Sequence, residues 1–175
     1  MPAKSFTPLE MIERLVSFDT TSRESNLQLI DFVADYLAGH GVKSTLIHDE
    51  TGKKANLVAN LGPDEDGGIM LSGHTDVVPV DGQDCHSNPF QVVRREQRLF
   101  GRGTADMKSY CATALALVPE YLGRKRKTPL HLAFSYDEEV GCLGVHGIIK
   151  HLHASGRRPK LCIVGEPTEM QVVDD

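Results

Sequence analysis

Three short apolar runs in this chain end in the same way, and that repetition limits the folds open to it. Leu71-Ser72-Gly73-His74-Thr75-Asp76, Phe134-Ser135-Tyr136-Asp137-Glu138-Glu139 and Ile163-Val164-Gly165-Glu166-Pro167-Thr168 each pass from buried-strand composition straight into histidine or carboxylates. Short apolar runs bounded by turn residues read as interior strands. In open α/β sheets ligands bind beyond the carboxyl ends of the strands, so three such strands, if parallel neighbours, bring their polar ends to one crevice.

The intervening sequence supplies the helices such a sheet needs. Thr7-Pro8-Leu9-Glu10 carries a capping hydroxyl, proline at the first helical position and glutamate three residues after the cap, which predicts a helix through Leu15 and Val16. The polar cluster Asp19-Thr20-Thr21-Ser22 ends it. Leu27, Ile30, Val33 and Leu37 mark a second helix that Gly39 and Gly41 close. Strands are predicted over 42–47 and 56–61, a small hairpin over 91–100, and helices over 107–122 and 141–153. The expected fold is an α/β three-layer sandwich around a mixed, mostly parallel sheet, in one unit without an internal linker or repeat.

Composition removes several classes of function. Nineteen Lys and Arg against 24 Asp and Glu give a net charge of −5, which disfavours nucleic acid as a partner, and the run Arg124-Lys125-Arg126-Lys127 reads as a solvated turn. No apolar run approaches membrane-spanning length, and Met1 to Phe6 has no signal-peptide core, so a cytoplasmic protein is expected. Cys85, Cys111, Cys142 and Cys162 form no CxxC pair and are expected to be reduced. Neither a dinucleotide-binding nor a P-loop glycine pattern occurs, and no Gly-x-Ser-x-Gly elbow supports a covalent nucleophile. His131, His146, His151 and His153 are read as non-catalytic.

What remains is one imidazole with several carboxylates, a donor set suited to zinc, cobalt or manganese and too hard for copper(I) or an iron-sulfur cluster. A hydrolytic metal pair about 4 Å apart needs a bridging carboxylate and brings bound water toward a pKa of about 7. The pair Glu138-Glu139 offers one carboxylate for metal and one for proton transfer. Each residue also has a plainer reading. His74 alone is an ordinary hydrogen-bonded histidine, Asp76 starts a turn, Asp106 caps a helix, Asp137-Glu138-Glu139 is an acidic first helical turn, and Glu166 before proline is loop chemistry. Joint placement at strand ends separates the two readings.

Ser72-Gly73-His74-Thr75-Asp76-Val77-Val78-Pro79, Gly101-Arg102-Gly103-Thr104-Ala105-Asp106-Met107-Lys108, Asp137-Glu138-Glu139-Val140-Gly141 and Gly165-Glu166-Pro167-Thr168 together resemble the signature of the di-zinc acetylornithine deacetylase and succinyl-diaminopimelate desuccinylase family. Leu15 to Ser22 and Pro79-Val80-Asp81-Gly82-Gln83 look most like its acetylornithine deacetylase branch. The resemblance implies that His74 binds one zinc, Asp106 bridges both, Glu139 binds the second and Glu166 the first, with cobalt as a possible substitute. It implies Glu138 as general base, Asp76 orienting the His74 ring, and a cis peptide bond at Asp106-Met107. The implied reaction is hydrolysis of a small N-acyl amino acid, in the nearest branch N-acetylornithine to ornithine and acetate, a step of arginine biosynthesis. A succinyl-diaminopimelate desuccinylase, an aminoacylase or a carboxypeptidase-like hydrolase shares these motifs, and a non-catalytic fold that binds metal or a partner protein is the other alternative.

By the same resemblance residues 1–175 correspond to the N-terminal portion of a metallohydrolase catalytic domain, without the later lid and dimerisation domain or the histidine that completes the second zinc site. The expectation is a weak or absent second zinc, held by Asp106 and Glu139 alone, and self-association through uncovered sheet edges. Ala105, Ser109 and Cys85 depart from residues common in the family at those positions.

Overall fold

The computed structural model describes residues 4–173, so residues 1–3 and 174–175, which bear on the readings of both termini, lie outside it. The chain opens with α1 (Pro8–Val16), started by the predicted capping box: the Thr7 backbone N–H donates to Glu10 Oε2 at 2.7 Å and the Glu10 N–H to Thr7 Oγ1 at 3.3 Å. Helix α2 (Leu27–Gly39) follows, then strands β1 (Ser44–His48), β2 (Ala55–Leu61) and β3 (Ile69–His74). A hairpin of β4 (Val93–Arg95) and β5 (Arg98–Phe100) precedes α3 (Lys108–Ala116) and α4 (Val118–Gly123). Strand β6 (Leu130–Ser135), α5 (Val145–Ser155) and β7 (Leu161–Val164) complete the order.

The main sheet runs β1-β2-β6-β3-β7. Strands β1 and β2, and β2 and β6, pair antiparallel, whereas β3 lies parallel to both β6 and β7. The sheet is therefore mixed in equal parts, and the parallel portion is the one that carries the three polar strand ends. Alternation along β2 and β6 divides the core. Leu57, Ala59, Leu61, Leu130, Leu132 and Phe134 face α1, α2 and α3, while Val58 and Ala133 pack with Met70 and Ile148 under α5. Three layers result, with both faces of the central strands β2 and β6 covered because both alternate sets are apolar, while β7 stays exposed.

Two helices differ from the periodicity. The expected helix over 107–122 is broken at Leu117, with Pro119 in the first turn of α4, where a proline costs no intrahelical bond. The helix expected from Gly141 begins only at Val145, since Asp137, Gly141 and Cys142 all hold positive φ and build a loop instead. Among the described residues no helix is long and apolar enough to cross a membrane.

Candidate metal centre

His74 is the last residue of β3, and its backbone is fixed from the helical side. Its N–H lies 3.3 Å from Met107 Sδ, and its carbonyl accepts from Cys111 Sγ at 3.6 Å. This contact requires Gly73, where a Cβ would stand 2.8 Å from both Cys111 Sγ and Met107 Cε. The start of α3 thereby sits against the end of β3, which brings Asp106 to His74. The Asp106-Met107 peptide bond is cis. Asp106 does not cap α3: Met107 is the N-cap, and no side chain caps it.

The imidazole is 1% exposed and faces hydrogen-bond acceptors at both nitrogens. Nδ1 lies 2.9 Å from the Asp76 carbonyl and 3.5 Å from Asp76 Oδ1. Nε2 lies 3.0 Å from Asp106 Oδ1 and 3.8 Å from both Glu138 Oε2 and Glu166 Oε1. With Nδ1–H donating to the carbonyl, Nε2 turns a lone pair toward oxygens, an arrangement that calls for either a proton or a cation at Nε2. The donor atoms of His74, Asp106 and Glu139 lie within 4.8 Å of one another, as do those of His74, Glu138 and Glu166. All five residues thus converge. The grouping differs from the one the resemblance implies, for Glu138 shares its group with Glu166 and both groups meet at the single imidazole.

The acidic loop is shaped by Asp76 together with Ser22, Lys54, Asn56 and Asp137, and to these last four the sequence motifs assigned no role. Asp76 is buried and accepts the backbone N–H of Glu138 at 3.0 Å and of Glu139 at 3.3 Å, together with the Ser22 hydroxyl at 2.7 Å. Asn56, fully buried on β2, donates to the Gly144 carbonyl at 2.8 Å and accepts the Tyr136 N–H at 3.2 Å, clamping the loop at both ends. Lys54 Nζ pairs with Asp137 Oδ1 at 2.5 Å and also reaches the Ser22 carbonyl. Ser22, Lys54, Asn56 and Asp137 make the site's frame; Ser22 and Asp137 lie inside the sequence motifs without a role of their own, and Lys54 and Asn56 carry no signal beyond polarity beside or within an apolar strand.

Electrostatics describe a cluster with more negative charge than one imidazole balances. Burial raises the Glu139 carboxyl above its ordinary range, and the neighbouring charge of Asp106 adds to this against the pull of His74. Burial likewise raises Glu166, where His74 opposes and Asp106, Glu138 and Glu139 reinforce it. Burial of Asp76 is outweighed by bonds from His74 and Ser22, and its carboxyl is held low. Burial disfavours a charged His74, yet its bond to Asp76 and the charges of Asp76 and Glu166 raise it to about 9. Hard oxygen donors, one imidazole and surplus negative charge fit a divalent cation of the zinc type.

These values set a pH dependence for the chelated chain. A histidine at about 9 when folded and 6.5 otherwise contributes stability that is fully present below pH 6.5 and lost as pH rises through about 9. Urea midpoints in chelator are expected to fall over that range and to stay flatter in His74→Gln. Equal midpoints at both pH values would count against the proton held at Nε2.

Glu166 is delivered by β7, and its placement rests on Gly165. Tyr110 of α3 donates its hydroxyl to the Ile163 carbonyl at 2.8 Å, and a Cβ on Gly165 would stand 2.0 Å from the ring. Gly165→Ala is expected to cost about 1–3 kcal/mol by overpacking and to move Glu166, which thermal unfolding and zinc titration would register together.

A mixed sheet whose parallel strands deliver an imidazole and carboxylates to one edge is the architecture of a metallohydrolase. The chain belongs to peptidase family M20/M25/M40, whose family model matches residues 70–174. It is 34% identical over 172 residues to the acetylornithine deacetylase of Pasteurella multocida, an alignment covering 94% of this chain and 44% of that protein. It is 36% identical over 176 residues to the acetylornithine deacetylase of Vibrio cholerae, covering 97% and 45%. The chain spans less than half the length of these relatives. Its fold is that of an M20 family metallo-carboxypeptidase from Sulfolobus solfataricus, with a TM-score of 0.78 at 18% identity over 91% of this chain and 37% of that one. It also superposes on human carnosine dipeptidase 1 with a TM-score of 0.75, 18% identity, and coverage of 90% and 37%.

Proposed function

We propose that this chain carries the metal-binding residues of an N-acyl amino acid amidohydrolase acting on N-acetylornithine, with release of ornithine and acetate. The observation that carries the reading is the convergence of His74, Asp106, Glu138, Glu139 and Glu166, with carboxylate oxygens of Asp106, Glu138 and Glu166 facing Nε2. In it His74, Asp106, Glu139 and Glu166 hold divalent cations, zinc with cobalt as substitute. Bound there, such cations polarise an acyl carbonyl and lower the pKa of water. The substrate and its pathway, arginine biosynthesis, are supported by the relatives named acetylornithine deacetylase, and four free cysteines suit a reducing compartment such as the cytoplasm.

The chain's own residues divide the remaining work. Glu138 takes a proton from the attacking water and returns it to the leaving amine, since its half-exposed carboxylate reaches the crevice while its backbone is tied to Asp76. Asp76 holds the Nδ1 side of His74, fixing the tautomer that leaves Nε2 free to ligate. The test is ornithine release from N-acetylornithine by zinc- or cobalt-loaded chain, beside a chelated control and a measurement of bound metal. Chelator-sensitive release supports the whole reading. Metal binding without release restricts it to a cation-binding fold, and a folded chain that takes up no metal overturns it.

A further inference from the structure

We propose that the cavity between the 80–89 loop and the β4-β5 hairpin is a binding site for a small organic carboxylate, separate from the His74 centre. The cavity measures about 330 Å³, at the lower end of the range for small-molecule sites. Val80, Val93 and Phe100 give it an apolar wall, and Ser87, Arg95 and Arg102 supply polar groups. That combination suits an anionic head on a short aliphatic body.

The two arginines carry the inference. This is an acidic protein, yet residues 93–102 hold four arginines and one glutamate. Nine ion pairs occur among the described residues, and neither Arg95 nor Arg102 takes part in any. Arg95 lies over the Phe100 ring, 4.5 Å from its centroid, a cation–π contact that holds the guanidinium at the cavity and uses none of its N–H donors. Arg102 is anchored by its backbone N–H on the Pro89 carbonyl at 2.7 Å and by its side chain on Gln83, and its buried Nε–H has no partner among the described residues. Two guanidiniums held in place at one cavity without a carboxylate are a fork for a carboxylate from outside the chain. Phosphate would use the charge but not the apolar wall. The His74 centre, crowded with carboxylates, repels an anion when chelated, so in chelator the two sites separate cleanly.

The inference stands independently of the proposed hydrolysis. Isobutyrate, titrated into the chelated chain of residues 1–175 and followed by heteronuclear NMR, is expected to bind and to shift resonances of the hairpin. Isobutyramide, the same shape without charge, and the exposed-site variant Arg95→Gln should each weaken binding about tenfold or more. Arg102→Gln should do the same, and Arg124→Gln, a surface arginine elsewhere, should leave it unchanged. N-acetylornithine should not displace isobutyrate from the chelated chain, and displacement would join the cavity to the His74 centre and overturn its being a separate site. Absence of binding, equal affinity for the amide, undiminished affinity in a folded Arg95→Gln, or binding only after zinc is added overturns it.

Discussion

Glu138→Gln is expected to lower ornithine release by about 10²–10⁴-fold, the range contributed by a positioned general base, while bound metal stays at its original level. Glutamine keeps the size and the backbone bond from Glu138 N–H to Asp76 but has no basic oxygen for a proton. The metal readout is essential because Glu138 Oε2 stands as near to His74 Nε2 as Glu166 Oε1 does, both at 3.8 Å. If metal content drops together with turnover, Glu138 is a ligand and the base lies elsewhere. The other oxygen of Glu138 accepts from Cys142 Sγ at 3.3 Å, which leaves Oε2 as the one directed to the crevice.

Asp76→Ala should be the most destabilising single change at the centre, by about 3–5 kcal/mol, the cost of removing one member of a buried charged network. Its carboxylate is the shared acceptor for the Ser22 hydroxyl and the N–H groups of Glu138 and Glu139, all of which would lose their partner together. The side chain is 3% exposed, so water does not readily replace it. Urea unfolding of the chelated chain measures the loss directly. Because the Asp76 carboxyl is held low when folded, its contribution is complete above the ordinary value of 3.8 and disappears as pH falls below it. The gap between native and variant should therefore be widest at neutral pH and narrow in acid, and a loss below 1 kcal/mol at neutral pH would remove Asp76 from this role.

The strands that carry the centre were legible because their composition is extreme. Strand β6 is buried throughout, and Ile69-Met70-Leu71 of β3 and Leu161-Cys162-Ile163-Val164 of β7 are apolar runs too, so composition signals all three strands, although it does not reveal that β7 lies exposed. Helix α1 was equally clear, because its start is written in adjacent residues, Thr7, Pro8 and Glu10. The convergence at His74 followed from three strand ends with one pattern, and the structure brings all three to the same edge. Residues 141–144, expected to open the helix, form loop instead, because Cys142 holds a positive φ that no glycine at that position announces and Gly141 holds another. The antiparallel pairing of β2 with β6 was also hidden, since buried strands of either direction have the same composition. Asn56 and Lys54 could not be placed because their partners, Gly144 and Asp137, lie more than 80 residues away.

Strand β7 is fastened to the sheet through β3 alone, and all four of its residues are exposed. A strand with one sheet neighbour, one helix contact through Tyr110 and exposed residues is drawn from the low end of a protein's local stabilities. Each opening carries Glu166 away from His74. Any cation that uses Glu166 therefore works against a pre-existing equilibrium, and its observed affinity is the intrinsic one reduced by the fraction of molecules in which β7 is docked. The same linkage runs in reverse, since a cation held there latches this edge strand and slows the exchange of its amide hydrogens. Edge stability and metal affinity in this protein are two readings of one equilibrium.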